Sequence, residues 1–169
     1  MNYIKLNQKA WDAKTKAHVK SEFYDVPAFV AGKSTLNQIE LDALGNVAGK
    51  SLLHLQCHFG MDSLSWARQN AVVTAVDLSP VAIEQAKSLS QQCDIPATFV
   101  CDDVMNYLLQ ERSFDVVFTS YGAICWLPDI KAWAKGVARQ LKVGGTFFMA
   151  EFHPVYDLVA GYSYFHQSE

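Results

Sequence analysis

Ala71-Val72-Val73-Thr74-Ala75-Val76-Asp77-Leu78-Ser79-Pro80 is the stretch that decides the fold. Residues 71–76 form a short, mostly apolar run, as expected of a strand covered on both faces. Asp77 ends the run, Ser79 stands where a helix N-cap belongs, and Pro80 suits the first helical turn, where an N–H is not needed. Outward from this stretch the same texture recurs. Apolar runs lie at 51–55, 97–101, 114–119 and 146–150, the last introduced by Gly144-Gly145. Helical patterns separate them near 61–69, 80–92, 103–110 and 129–141. Short strands alternating with helices predict an α/β fold, a doubly wound, Rossmann-like, mostly parallel sheet with helices on both faces.

The first fifty residues differ. Ile4, Leu6, Ala10, Trp11 and Val19 among lysines predict an amphipathic helix within 3–20. Pro27 disfavours helix at Val26. Ser34 or Thr35 is expected to cap a helix that runs through Leu36, Ile39 and Leu44 and ends at Gly45. The chain therefore divides into a helical segment, 1–49, expected to form a lid or acceptor side, and a cofactor-binding core, 50–169. Together they make a single domain.

Composition narrows the function. The chain has 169 residues, 50% hydrophobic and 18% charged, enough for one substantial core. A net charge of −3 argues against nucleic acid as the main partner. No apolar run is long enough to cross a membrane, and the first residues carry no signal-peptide core. Cys57, Cys93, Cys101 and Cys125 lack C-x-x-C spacing and sit among apolar residues, which suggests reduced, buried thiols and a cytoplasmic protein.

In such sheets ligands bind beyond the carboxyl ends of the strands, so the chemistry is sought there. Asp77 is suited to accept hydrogen bonds from two ribose hydroxyls; the plainer alternative is an acid that favours the dipole of the following helix. Gly60 opens the first core helix, where backbone N–H groups point toward a ligand, or serves a tight turn. His54 lies in a strand and His58 in a turn, so the pair is not expected to converge on a metal. Asp102 and Asp103 are adjacent and point apart: one can face a ligand while the other caps a helix. Trp133 reads as core. Trp126 reads equally as cavity wall or packing.

These pieces together resemble class I S-adenosylmethionine-dependent methyltransferases of the small bacterial type. The resemblance covers 50–154. It rests on Leu52-Leu53-His54-Leu55-Gln56-Cys57-His58-Phe59-Gly60, Val76-Asp77-Leu78-Ser79-Pro80, Phe99-Val100-Cys101-Asp102-Asp103-Val104, Phe114-Asp115-Val116-Val117-Phe118 and Gly144-Gly145-Thr146-Phe147. It implies a cofactor, S-adenosylmethionine, and methyl transfer to a small-molecule acceptor. The loop containing His54, Gln56, Cys57 and Gly60 would wrap the methionine part. Asp77 would hold the ribose, Leu78 and Val104 would flank the adenine, Asp103 would meet its amino group, and Ser120 would lie near the methionine amino group. Glu151, His153 and Tyr121 are candidate bases. No metal is expected.

Two departures stand out. His54 replaces the family's acid, and Gln56 and His58 replace two glycines. The family's C-terminal antiparallel hairpin is missing, so the chain looks truncated and the fifth strand becomes an edge. Residues 152–169 are expected to fold over that edge, or two copies to pair through it as a homodimer. Two other functions share the fold: an NAD(P)-dependent oxidoreductase, disfavoured by the absence of G-x-G-x-x-G, and a non-catalytic cofactor-binding or assembly module.

Overall fold

A computed structural model of the chain describes residues 3–153, 155–159 and 161. Three helices come first: α1 (Tyr3–His18), α2 (Val26–Val30) and α3 (Gln38–Leu44). The alternating part follows as β1 (Ser51–Leu55), α4 (Met61–Arg68), β2 (Val72–Asp77), α5 (Pro80–Cys93), β3 (Thr98–Cys101), α6 (Val104–Tyr107) and β4 (Phe114–Ser120). A 3-10 turn at Ile124–Trp126, α7 (Ile130–Gln140), β5 (Leu141–Ala150) and α8 (Val155–Val159) complete it.

The five strands form one sheet in the order β3-β2-β1-β4-β5, and every pairing is parallel. The order reverses between β1 and β4, which opens a crevice above their carboxyl ends. Alternation along β1 divides the core. Leu52 packs on one face with Leu64, Trp66, Ala86 and Phe118. Leu53 and Leu55 pack on the other with Tyr107, Leu108, Trp133 and Val137. Each fully buried leucine contributes about 1.5–3 kcal/mol, and a one-residue slip of β1 would exchange the two sets. Trp133 is core, as its position on α7 predicted.

Several boundaries differ from the sequence reading. The cap of α3 is Asn37, in a capping box with Glu40, not Ser34 or Thr35. Gly45 does end that helix, at φ 56°. Val26 is helical despite preceding Pro27, because Asp25 caps α2 and accepts from Ala28 N–H at 3.3 Å. α6 is a single turn, shorter than the pattern at 103–110 suggested. β5 starts at Leu141, five residues early, and reaches its main register through an irregularity opposite Phe114 and Val116. Only Cys57 of the four free cysteines is buried; Cys101 and Cys125 are exposed.

Among the described residues β5 is a sheet edge. Its Phe148 stacks on Phe118 with centroids 5.6 Å apart, while Phe147 and Met149 stay about two-fifths exposed, at 39% and 41%. The expected fold-back of the aromatic tail involves Tyr162, Tyr164 and Phe165, which lie outside the described residues.

Candidate active site

One cavity of about 920 Å³ lies above the carboxyl ends of β1, β2 and β4. All nine residues expected at a cofactor site line it: His54, Gln56, Cys57, Gly60, Asp77, Leu78, Asp103, Val104 and Ser120. α1 spans the cavity from β2 to the loop after β4. Gln8 donates to the Leu78 carbonyl at 3.2 Å, Ser79 Oγ donates to Asp12, and Asn7 donates to the Trp126 carbonyl at 3.4 Å. Trp11 meets Trp126 edge to face at 5.4 Å, so Trp126 is both cavity wall and packing.

Asp77 is the organising group. Its Oδ2 accepts from the His58 N–H at 2.7 Å and its Oδ1 from the Ser79 N–H at 2.9 Å. A carboxylate has about four lone-pair sites, so acceptor capacity remains beyond these two bonds. Burial raises the Asp77 pKa above the usual carboxylate value, and the Ser79, His58 and Leu78 N–H groups work against that rise. Ser79 supplies the actual cap of α5, accepting from Ala82 N–H at 3.0 Å.

The loop after β1 has the backbone form of a glycine loop with larger side chains. Gln56 and His58 sit at φ 56° and 52°, in the left-handed region that glycine favours. Gln56 Nε2 ties the loop to the Ala123 carbonyl at 2.8 Å, and no protein group pairs with its buried Oε1 among the described residues. Gly60 follows at φ 80° as the cap of α4. A Cβ there would lie 2.7 Å from a Phe99 ring carbon and 2.9 Å from the Ala86 Cβ.

His54, in place of an acid, is buried under the cavity. Its Nδ1 lies 2.7 Å from Ser63 Oγ, its Nε2 has no partner among the described residues, and burial lowers its pKa to about 3. Burial, then Asp77, pushes the Cys57 thiol well above its ordinary pKa, which disfavours the reactive thiolate. The Asp102–Asp103 division is corrected. Asp103 both lines the cavity and caps α6, accepting from Met105 N–H at 3.0 Å, whereas Asp102 accepts from Asn106 Nδ2 at 2.9 Å.

The suggested bases fare unequally. Glu151 is enclosed by backbone donors: Gly122 and Ala123 N–H at 2.6 Å, Ile124 at 2.8 Å and Phe152 at 3.1 Å. It shapes the loop after β4 through these four backbone bonds. Tyr121 lines the cavity, but burial and then the neighbouring Glu40 push its pKa up to about 12. His153 is exposed, and its Nδ1 accepts from Val155 N–H at 3.2 Å.

Two groups escaped the sequence reading. Asp62 lines the cavity and accepts from Thr35 Oγ at 2.6 Å and Ser120 Oγ at 3.0 Å. Burial raises its pKa against both bonds. The other is an imidazole pair, His18 Nδ1 and His58 Nε2, 3.0 Å apart. The spacing of Trp11, Thr15 and His18 along α1 was the available signal, since it puts the three on one helical face. Among the described residues no group of three or more His, Cys, Asp or Glu is arranged to hold a metal ion.

Comparison with known proteins bears on the same region. Residues 52–145 match the family model described as a methyltransferase domain. An uncharacterized methyltransferase of Synechocystis sp. is 31% identical over 125 residues, 73% of this chain and 57% of that protein. A ubiquinone biosynthesis O-methyltransferase of Coxiella burnetii is 29% identical over 102 residues, 60% of this chain and 43% of that one. The chain thus spans about half the length of these curated relatives. Among solved structures, an S-adenosylmethionine-dependent methyltransferase of Thiobacillus denitrificans in complex with S-adenosyl-L-homocysteine matches with TM-score 0.56 and 23% identity, over 76% of this chain and 54% of that one. A TehB-like S-adenosylmethionine-dependent methyltransferase of Corynebacterium glutamicum matches with TM-score 0.65 and 19% identity, over 81% and 72%. At these identities the structures speak for the fold alone.

Proposed function

The chain belongs to the S-adenosylmethionine-dependent methyltransferase family, and from that premise we propose that it transfers a methyl group from this cofactor to a small-molecule acceptor. The observation that carries the proposal is the Asp77 carboxylate. Backbone donors orient it at the edge of the cavity, and it keeps acceptor capacity for a ligand. Adjacent ribose hydroxyls are donors that suit this capacity.

The remaining residues fit the same ligand. Leu78 and Val104 offer apolar surface for a base, and Asp103 has a second oxygen for an exocyclic amine. Asp62, joined to Ser120, offers negative charge to an ammonium or sulfonium. Gln56 and His58 hold the loop in a glycine-like path, and the buried Gln56 Oε1 lacks a protein donor. When bound, the cofactor supplies an activated methyl group. The protein's own part is to bind it, align the acceptor with the methyl carbon and exclude water. In this reading residues 1–49 form the lid and acceptor side, which the α1 contacts across the cavity support.

Three further parts of the reading follow. The free thiols favour a cytoplasmic setting, and the net charge of −3 disfavours nucleic acid as a partner. The half-exposed edge strand β5 is the surface through which two copies would pair. Among the described residues no helix is long and apolar enough to cross a membrane.

Thermal shift tests the proposal. S-adenosylhomocysteine should raise the melting temperature and NAD should not. A shift with NAD alone would favour an oxidoreductase, and no shift with either would favour a module without cofactor chemistry.

A further inference from the structure

The imidazole pair beneath α1 has a definable proton order. Thr15 is fully buried and has one hydroxyl proton. The Trp11 carbonyl, 2.8 Å from Thr15 Oγ, can only accept, so it takes that proton. His58 Nδ1, 3.4 Å from the same oxygen, must then be the donor of their contact. A neutral His58 with its proton on Nδ1 has a bare Nε2. That atom lies 3.0 Å from His18 Nδ1, so His18 donates there. His18 in turn keeps a bare Nε2.

His18 lines the cavity, and its ring packs on Tyr24 with centroids 5.0 Å apart. The titratable groups that face it are Lys14 on its own helix, His58 from the loop after β1, and Tyr24 from the segment before α2. Burial and then Lys14 lower its pKa, which favours the neutral ring.

The cavity also selects by charge. The chain has 14 Lys and Arg, all within the described residues, and of these only Lys33 lines the cavity. Lys33 is paired with Asp25 at 3.6 Å. An anionic acceptor would therefore find no unpaired Lys or Arg on the cavity wall, whereas Trp11, Tyr24 and Trp126 offer aromatic surface.

We propose that the acceptor is an uncharged aromatic hydroxyl compound and that His18 Nε2 takes its proton, with His58 and Thr15 as positioning residues that fix the His18 tautomer. This rests on the methyltransferase reading above. As the acceptor oxygen bonds to the methyl carbon, the carbon–sulfur bond breaks and its electron pair stays on sulfur. The hydroxyl proton moves to His18, so the positive charge lost by the sulfonium reappears on an imidazolium that donates through Nδ1 to His58. Water then removes the proton.

Histidine tautomers are read directly by multiple-bond ¹H–¹⁵N spectra of the whole chain with S-adenosylhomocysteine. His18 and His58 should both carry the proton on Nδ1, and Thr15→Val should release His18 to the Nε2–H form. A proton on Nε2 of His18 in the unaltered protein would overturn the proposal. Ligand-induced shifts in the same sample report cofactor binding separately, so failure of the underlying reading is distinguishable. Catechol, with S-adenosylmethionine, is the activity probe. The chain should methylate it, and His18→Gln should lower turnover about 10²-fold or more at pH 7. That deficit should shrink as pH approaches the phenol's own ionisation near ~10. A folded, cofactor-binding protein that ignores catechol, or a His18→Gln variant with unaltered turnover, would refute it.

Discussion

Gln56 and Gly60 both lie at positive φ in one loop, yet they should answer substitution differently. For Gly60→Ala, a side chain in the left-handed region costs about 1–2 kcal/mol. The new methyl would stand 2.7 Å from the Phe99 ring and 2.9 Å from Ala86, which tie α4 to the sheet and α5. Overpacking there adds about 1–3 kcal/mol, so the expected loss is about 2–5 kcal/mol. For Gln56→Gly, relief of the same backbone cost is worth about 1–2 kcal/mol. It is offset by the Gln56–Ala123 hydrogen bond, about 0.5–1.5 kcal/mol, and by the freer unfolded chain, about 0.4–1 kcal/mol. The net change is within about 1.5 kcal/mol of zero. Urea unfolding followed by circular dichroism measures both. A Gly60→Ala protein within about 0.5 kcal/mol of the parent, or a Gln56→Gly protein destabilised by more than about 3, would refute the account of this loop.

Two more predictions concern pH and the loop after β4. His54 and His58 have pKa values lowered to about 3 from 6.5, so the unfolded chain binds protons that the folded one does not. Their contribution is intact above pH 6.5 and is lost as pH falls toward 3, at up to about 1.4 kcal/mol per pH unit for each histidine. Stability curves between pH 4 and 7 should flatten in His54→Asn, and an unchanged slope would remove His54 as a source. Glu151→Ala leaves its backbone donors unpaired, so amide exchange at Gly122, Ala123 and Ile124 should accelerate at least about tenfold, at roughly 1.4 kcal/mol per decade. Unaltered protection there would show that Glu151 does not organise the loop.

Much of this was legible before the structure because the signals were local. Residues 71–80 gave strand, acid, cap and helix in order, and Asp77, Leu78 and Ser79 occupy those places. The cavity residues on β1, β2 and α6 followed from the rule that parallel sheets bind ligands at their carboxyl ends. What escaped depended on distant partners. Asn37 outcompetes Ser34 and Thr35 as a cap because Glu40 completes its box, while Thr35 is engaged by Asp62 and Ser65. Glu151 looked like a base because acids at strand ends often are, and only the fold brings the N–H groups of 122–124 around it. The His18–His58 pair spans forty positions of sequence, and only the docking of α1 over the first loop unites it.

Calorimetric titration of S-adenosylhomocysteine into the chain and its Asp77→Asn variant tests the central claim most directly. The substitution keeps the side chain's shape but removes the charged acceptor of the His58 and Ser79 N–H groups and of the ribose. A hydrogen bond to a charged group is worth about 1.5–3 kcal/mol, so the loss should be at least about tenfold in affinity. The account predicts saturable binding to the parent and that weakening in the variant, with thermal unfolding still cooperative. A folded parent that does not bind, or a variant that binds equally well, would contradict it.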